Sequence, residues 1–198
     1  GLKTAKKTNV FVSQSSDGVD FSKKHAIEIV SSAGEMESLA HCDIHSFFAH
    51  GSAYYLMYSQ KVHSKNHISI AKWDDLSDVK VVEEDVLLPP HADIIISSYK
   101  HKQRFLSYYG NKSIGVTASS DLSNWHDSAE LLSPRKGHFD DGALHTIGTI
   151  IIEEGILVLY QSKSKKADKG VIKVGAALFS LDKPYLAPIW RSDAPIWE

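Results

Sequence analysis

The feature that most constrains this chain is a strand-rich unit that recurs about every 50 residues. One copy reads Cys42-Asp43-Ile44-His45-Ser46-Phe47-Phe48, then Gly51, then Ala53-Tyr54-Tyr55-Leu56-Met57-Tyr58. A second runs His91-Ala92-Asp93-Ile94-Ile95-Ile96, then Lys102, then Arg104-Phe105-Leu106-Ser107-Tyr108-Tyr109. A third has Phe139-Asp140-Asp141, then Thr149-Ile150-Ile151-Ile152, then Gly155 through Tyr160. The leading aspartates Asp43, Asp93 and Asp140 are spaced 50 and 47 residues apart. Each set continues with a strand of small residues and a polar turn, such as Gly115–Ser119 followed by Ser120-Asp121-Leu122-Ser123-Asn124-Trp125. The N-terminal stretch Phe11–Phe21, with Ser15-Ser16-Asp17, reads as the same strand-and-turn pair.

Helical periodicity is nearly absent, and the apolar runs are short and broken by Gly, Pro, Asp and Ser. Strands are expected at Val10–Ser13, Ala26–Val30, Ile44–Ala49, Tyr54–Ser59, His67–Lys72, Val79–Val82, Ile94–Tyr99, Phe105–Tyr109, Ser113–Ser119, Glu130–Leu132, Thr149–Ile152, Ile156–Gln161, Lys173–Ser180 and Ala187–Arg191. Ser31–Leu39 is read as one helical turn and the Lys-rich stretch Ser162–Gly170 as a solvated loop. A four-stranded unit at this period is the signature of propeller blades, because each small twisted sheet has two apolar faces that neighbours must cover. The expected fold is therefore all-β: a single partial propeller over residues 1–198, with blades near 8–30 (half), 42–88, 92–133 and 139–198. A closed ring needs at least four blades. The chain, which begins Gly-Leu-Lys, thus reads as a fragment whose uncovered sheet edges favour self-association.

Composition narrows the function classes. Twenty-two Lys and Arg against 24 Asp and Glu give a net charge of −2, which disfavours a nucleic-acid binder. No apolar run reaches the roughly 18–20 residues of a membrane span and no signal peptide is visible, so a cytoplasmic protein without membrane partners is expected. One cysteine, Cys42, excludes an internal disulfide. His41, Cys42, Asp43 and His45 crowd together, but no paired-histidine helix or second cysteine supports a metal, and no cofactor is expected.

An aspartate just ahead of a blade's innermost strand lies near the propeller axis, so Asp43, Asp93 and Asp140 are expected to open onto one pocket as the catalytic carboxylates. Glycoside hydrolysis requires such a set, one group protonating the leaving oxygen and another activating water or attacking. A lone loop aspartate more often caps a turn; three in repeat positions argue for more. Candidate sugar contacts are His45 and His145 as neutral hydrogen-bond partners, Asp141 beside Asp140, and the aromatic rings of Tyr109 and Trp125.

Several of these motifs carry a family resemblance. Asp43-Ile44-His45 through Gly51 and Tyr54–Tyr58, Ser119–Trp125, Phe139-Asp140-Asp141-Gly142 through Tyr160, and Val174–Phe179 through Arg191-Ser192-Asp193-Ala194-Pro195 resemble five-bladed propeller glycosidases of glycoside hydrolase family 130 and its family 43-like relatives. The resemblance spans about residues 10–198. It implies a glycoside hydrolase or phosphorylase with an oligosaccharide or glycoside substrate, Asp43, Asp93 and Asp140 matching the blade aspartates. His45 stands where family 130 usually carries Arg, which weakens phosphate binding. His145 falls where relatives often carry Glu, which keeps open a catalytically impaired sugar-binding or interaction propeller.

Overall fold

The computed structural model describes residues 10–13, 15–17, 19–22, 24–27, 29–30, 36–37, 42–62, 65–74, 79–83, 86, 93–110, 112–163 and 171–198. Among these residues the chain is all strand and turn, with no helix long and apolar enough to cross a membrane. The strands are β1 (Val10–Ser13), β2 (Lys24–Ile27), β3 (Ile29–Val30), β4 (Met36–Glu37), β5 (Cys42–His50), β6 (Ala53–Val62), β7 (Lys65–Trp73), β8 (Val79–Glu83), β9 (Asp93–His101), β10 (Arg104–Gly110), β11 (Ile114–Ser119), β12 (His126–Leu132), β13 (Ala143–Ile152), β14 (Gly155–Lys163), β15 (Ile172–Phe179) and β16 (Trp190–Arg191). They fall into two compact units, residues 1–86 and 87–198.

In the first unit β1 and β2 pair as a two-stranded sheet, and β5 to β8 form an antiparallel meander that β3 and β4 extend to the order β4-β3-β8-β7-β6-β5. Two expectations are corrected here. The strand expected over Ala26–Val30 divides between two sheets, because β3 leaves β2 and pairs in parallel with β8 through Ile29↔Val79. Met36–Glu37, expected within a helical turn, is strand, because β3 offers it an antiparallel partner at Ile29↔Glu37. The core of this unit gathers Ile29, Leu56, Tyr58, Ala71, Trp73 and Val81.

The second unit holds two four-stranded meanders, β9 to β12 and β13 to β16. Leu106, Tyr108, Ile114 and Val116 of one sheet and Val158, Tyr160, Ala177 and Phe179 of the other share one buried cluster, so each sheet covers an apolar face of its neighbour. Tyr108 and Phe179 meet with ring centroids 5.8 Å apart. The hairpin joining β9 to β10 is tied to the loop after β15, where His101 Nδ1 lies 3.0 Å from the Leu181 carbonyl oxygen. The strand expected over Ala187–Arg191 is confined to Trp190–Arg191, the chain running on beside β15 through backbone bonds such as Ser192 N–H to Ala176 O. β14 continues through Lys163 into the stretch read as a loop, and residues 164–170 lie outside the described residues.

Turn chemistry shows the repeat directly. Asp17 Oδ1 accepts from the Ser15 hydroxyl and from the backbone N–H of Val19 and Asp20. Asp121 Oδ1 accepts from the Ser119 hydroxyl and from the N–H of Ser123 and Asn124. Side-chain oxygens that replace backbone partners in this way fix a turn locally. These donors favour the ionised form, and the Asp17 carboxyl is held down to about 2, the Asp20 N–H being the strongest cause.

A second repeated device places a tyrosine ring over a glycine. Tyr160 pairs with Gly175, and a Cβ added there would lie 2.5 Å from Tyr160 Cζ and 2.7 Å from Phe139 Cζ. Tyr109 lies over its partner Gly115 in the same way. Gly175→Ala is expected to displace both the Tyr160 and Phe139 rings and to cost about 1–3 kcal/mol, the usual range for overfilling a close-set site. Chemical denaturation measures it, with an unchanged midpoint as the contrary result.

Candidate active site

Register alignment of the meanders shows which residues are equivalent. Each leading strand enters a hairpin with a two-residue loop, at Gly51-Ser52, Lys102-Gln103 and Glu153-Glu154. Counted from those hairpins, Tyr58, Tyr109 and Tyr160 correspond, and each is followed by a residue paired with the leading strand: Ser59 with Asp43, Gly110 with Asp93, Gln161 with His145. Asp43 and Asp93 are thus equivalent, as the sequence spacing indicates. The third equivalent is His145, not Asp140. Asp140 lies three residues ahead of β13, which starts at Ala143 rather than at Thr149 as expected. The polar pair His145-Thr146, with Gly148 beyond it, hides that early start from a hydrophobic pattern.

All three leading strands are irregular near this position. His45 is the extra residue where the β5–β6 register shifts between Ile44 and Ser46, and Ile147 is its counterpart in β13. The β9–β10 register shifts by two residues between the pairs Phe105↔Lys100 and Ser107↔Ile96. Bulges of this kind turn a strand and re-aim its side chains, and they gather at functional sites.

In the first unit Asp43 is exposed on β5. His45 is half-buried, its Nε2 lying 2.8 Å from Ser59 Oγ, across the strand pair that holds Asp43. Burial pushes the neighbouring Cys42 thiol up. Among the described residues no group of three His, Cys, Asp or Glu could hold a metal ion, and His41 of the suspected cluster lies outside them.

In the second unit the backbone of Asp93 opens β9 opposite Gly110. A Cβ on Gly110 would lie 2.9 Å from Leu144 O and 3.3 Å from Thr146 N, so the glycine lets β13 approach closely on either side of His145. The Leu144 N–H also donates to the Lys112 carbonyl at 3.1 Å, fixing the level at which β13 enters. His145 itself is half-buried.

Asp140 has a different environment from the one its motif suggests. Its carboxylate is wholly buried. Arg135 Nε donates to Oδ1 at 3.0 Å and Arg135 Nη2 to Oδ2 at 3.0 Å. Arg191 Nη2 donates to Oδ2 at 2.6 Å, and the Tyr160 hydroxyl donates to the same oxygen at 2.8 Å. Arg191 Nε in turn donates to the Tyr160 hydroxyl oxygen at 3.1 Å, and its Nη1 to the Ser133 carbonyl. Burial alone would raise the Asp140 carboxyl, but the hydrogen bonds from Arg135 and Tyr160 and the two guanidinium charges outweigh it and hold the group below its ordinary range. A carboxylate kept ionised and enclosed by donors is poorly placed to give a proton to a substrate. Its geometry is that of a hub joining the loop before β13, β14 and β16. The sequence reading missed Arg135, five residues upstream in the same loop, and Arg191, which neighbours Asp140 only in space.

The remaining candidates are placed as follows. Asp141 is half-buried, and its Oδ1 is a buried oxygen without a hydrogen-bond partner. Tyr109 is half-buried with one ring face against Gly115. Trp125, read as an aromatic platform, is instead a buried turn residue whose Nε1 donates to the Leu122 carbonyl at 2.8 Å, because the Asp121 turn folds it inward.

Comparison with known proteins gives a consistent result. The protein β-1,2-mannobiose phosphorylase of Listeria innocua serovar 6a is 28% identical over 123 residues, covering 58% of this chain and 33% of that protein. A glycosyl hydrolase structure from Bacteroides ovatus superposes on 100% of this chain and 64% of its own, with TM-score 0.70 and 21% identity. A further solved structure, from work describing family 130 hydrolases that target β-1,2 mannosidic linkages in Candida mannan, gives TM-score 0.69 at 22% identity, covering 96% of this chain and 62% of its own. The chain therefore spans a third of the curated relative it matches and less than two thirds of these solved ones. Its all-β blades are those of a β-propeller. The family model described as β-1,4-mannooligosaccharide phosphorylase matches residues 3–198, and the chain belongs to glycoside hydrolase family 130.

Proposed function

We propose that this chain carries the cleavage machinery of a glycosidase acting on β-linked mannosides, within one partial propeller whose blades are the meanders described above. The observation that carries the reading is the polar position repeated at Asp43, Asp93 and His145 in a family 130 chain. Asp43 is the proposed general acid. Of the candidate carboxylates whose side chains are described, it is exposed whereas Asp140 is enclosed.

Hydrolysis is favoured over phosphorolysis, because His45 stands where the family usually carries an arginine, whose permanent charge and forked donors suit an anion. The assay is release of mannose or of a sugar 1-phosphate from β-1,2- and β-1,4-mannobiose, with and without inorganic phosphate. The expected result is phosphate-independent release of mannose. Turnover that requires phosphate would reverse the preference, and sugar binding without turnover would favour the impaired reading that His145 raises.

A further inference from the structure

We infer that Ser59 and His45 are positioning residues for Asp43, the hydroxyl standing between imidazole and carboxyl and steadying the acid as its proton leaves. The inference rests on the acid assignment of Asp43 made above and adds how the first unit holds that group. Asp43 and Ser59 are directly opposed on β5 and β6, so their side chains share one face of the sheet, with Cβ atoms about 4.5–5.5 Å apart. A carboxyl oxygen and a hydroxyl at that separation can meet by side-chain rotation alone. His45 follows two residues along β5, and its Nε2 lies 2.8 Å from Ser59 Oγ. As the extra residue of the bulge it has no register partner of its own, which leaves its ring to Ser59.

This face is enclosed. Met57, two residues from Ser59, and Ser46 opposite it are buried, and Ser59 itself is 7% exposed, whereas Asp43 near the start of β5 is open to solvent. A hydroxyl shielded from water depends on the partners the protein gives it. It carries one donor and two acceptor sites, and the bond to His45 uses one of them. The others can accept from Asp43 while the carboxyl holds its proton, and donate to it once the proton has passed to the departing glycosidic oxygen. That reversal needs a partner on the far side that can also reverse. Imidazole Nε2 is such a partner, since it donates or accepts according to the tautomer. An arginine or lysine in its place could only donate.

The test uses the full chain with β-1,2-mannobiose, β-1,4-mannobiose and an aryl mannoside carrying a good leaving group. It reads kcat, KM and melting temperature for the wild type, Ser59→Ala, His45→Ala, the double variant and Asp43→Asn. Ser59→Ala is expected to lower kcat on the disaccharide about tenfold, the upper range for one neutral hydrogen bond, with KM and melting temperature little changed. On the aryl mannoside, whose departing oxygen needs no proton, kcat should hold. A residue that only props the strand pair would lower both alike. His45 acts through Ser59, so the double variant should lose no more than the larger of the single losses. His45→Ala also keeps the inference testable if Ser59→Ala folds poorly. Equal losses on the two kinds of substrate, or additive losses in the double variant, overturn the inference. Wild-type kcat in Ser59→Ala beside a large loss in Asp43→Asn overturns it and leaves the acid assignment standing. No loss in Asp43→Asn removes the acid assignment and the inference with it, and a wild type that turns over none of these sugars, with or without phosphate, overturns the mannoside reading itself.

Discussion

Replacing Asp140 with Asn is expected to destabilise the second unit by about 3–5 kcal/mol, the cost of leaving buried charges without their counterion. Arg135 and Arg191 both point at this carboxylate, and their side chains are 24% and 12% exposed. Partial access to water therefore places the effect toward the lower end of that range. Asparagine fills the same volume but cannot balance two guanidinium groups, and it turns an N–H pair toward donors. The measurement is a denaturant midpoint for the second unit, read beside kcat on whatever fraction remains folded. A variant with native stability and abolished turnover would instead restore Asp140 to the catalytic role its motif suggests. The pH dependence has a definite sign. The folded carboxyl is held below its ordinary value near 3.8, so its contribution is fully present above about pH 4 and is lost as pH falls through the lower folded value.

Asp43→Asn is expected to behave in the opposite way. The side chain is exposed, so the melting temperature should hardly move, whereas kcat should fall by about 10²–10⁴, the usual worth of a positioned general acid. The loss should shrink on an aryl mannoside with a good leaving group, whose departing oxygen needs no proton. That dependence on the leaving group separates a proton donor from a residue that only binds. Equal losses on both substrates would refute the acid assignment, and no loss on either would remove Asp43 from the site.

How much of this was legible in the sequence depends on how local the cause is. The strands of the meanders follow from period-two apolar runs bounded by turn residues. The turns at Asp17 and Asp121 follow from side chains that bond to backbone two or three residues away. Equivalence of Asp43 with Asp93 was visible for the same reason. The third member was not. Phe139-Asp140 copies the look of the motif, while the bulge at Ile147 and the early start of β13 shift the true correspondence to His145. The role of Asp140 was hidden because Arg191 lies 51 residues downstream. The extension of the first sheet by β3 and β4 was equally invisible, since the parallel pairing of Ile29 with Val79 leaves no trace in local pattern.

That parallel pairing sets the first unit apart in how it can assemble. In the second unit each strand pair joins segments that are neighbours along the chain, so each meander can close by successive hairpins as it emerges from synthesis. The pairing of β3 with β8 instead spans 50 residues, and it can close only once the intervening strands have been made. Until β8 is made, Ile29 and Val30 have only their short pairing with β4, so the place of that pair on the meander is set late.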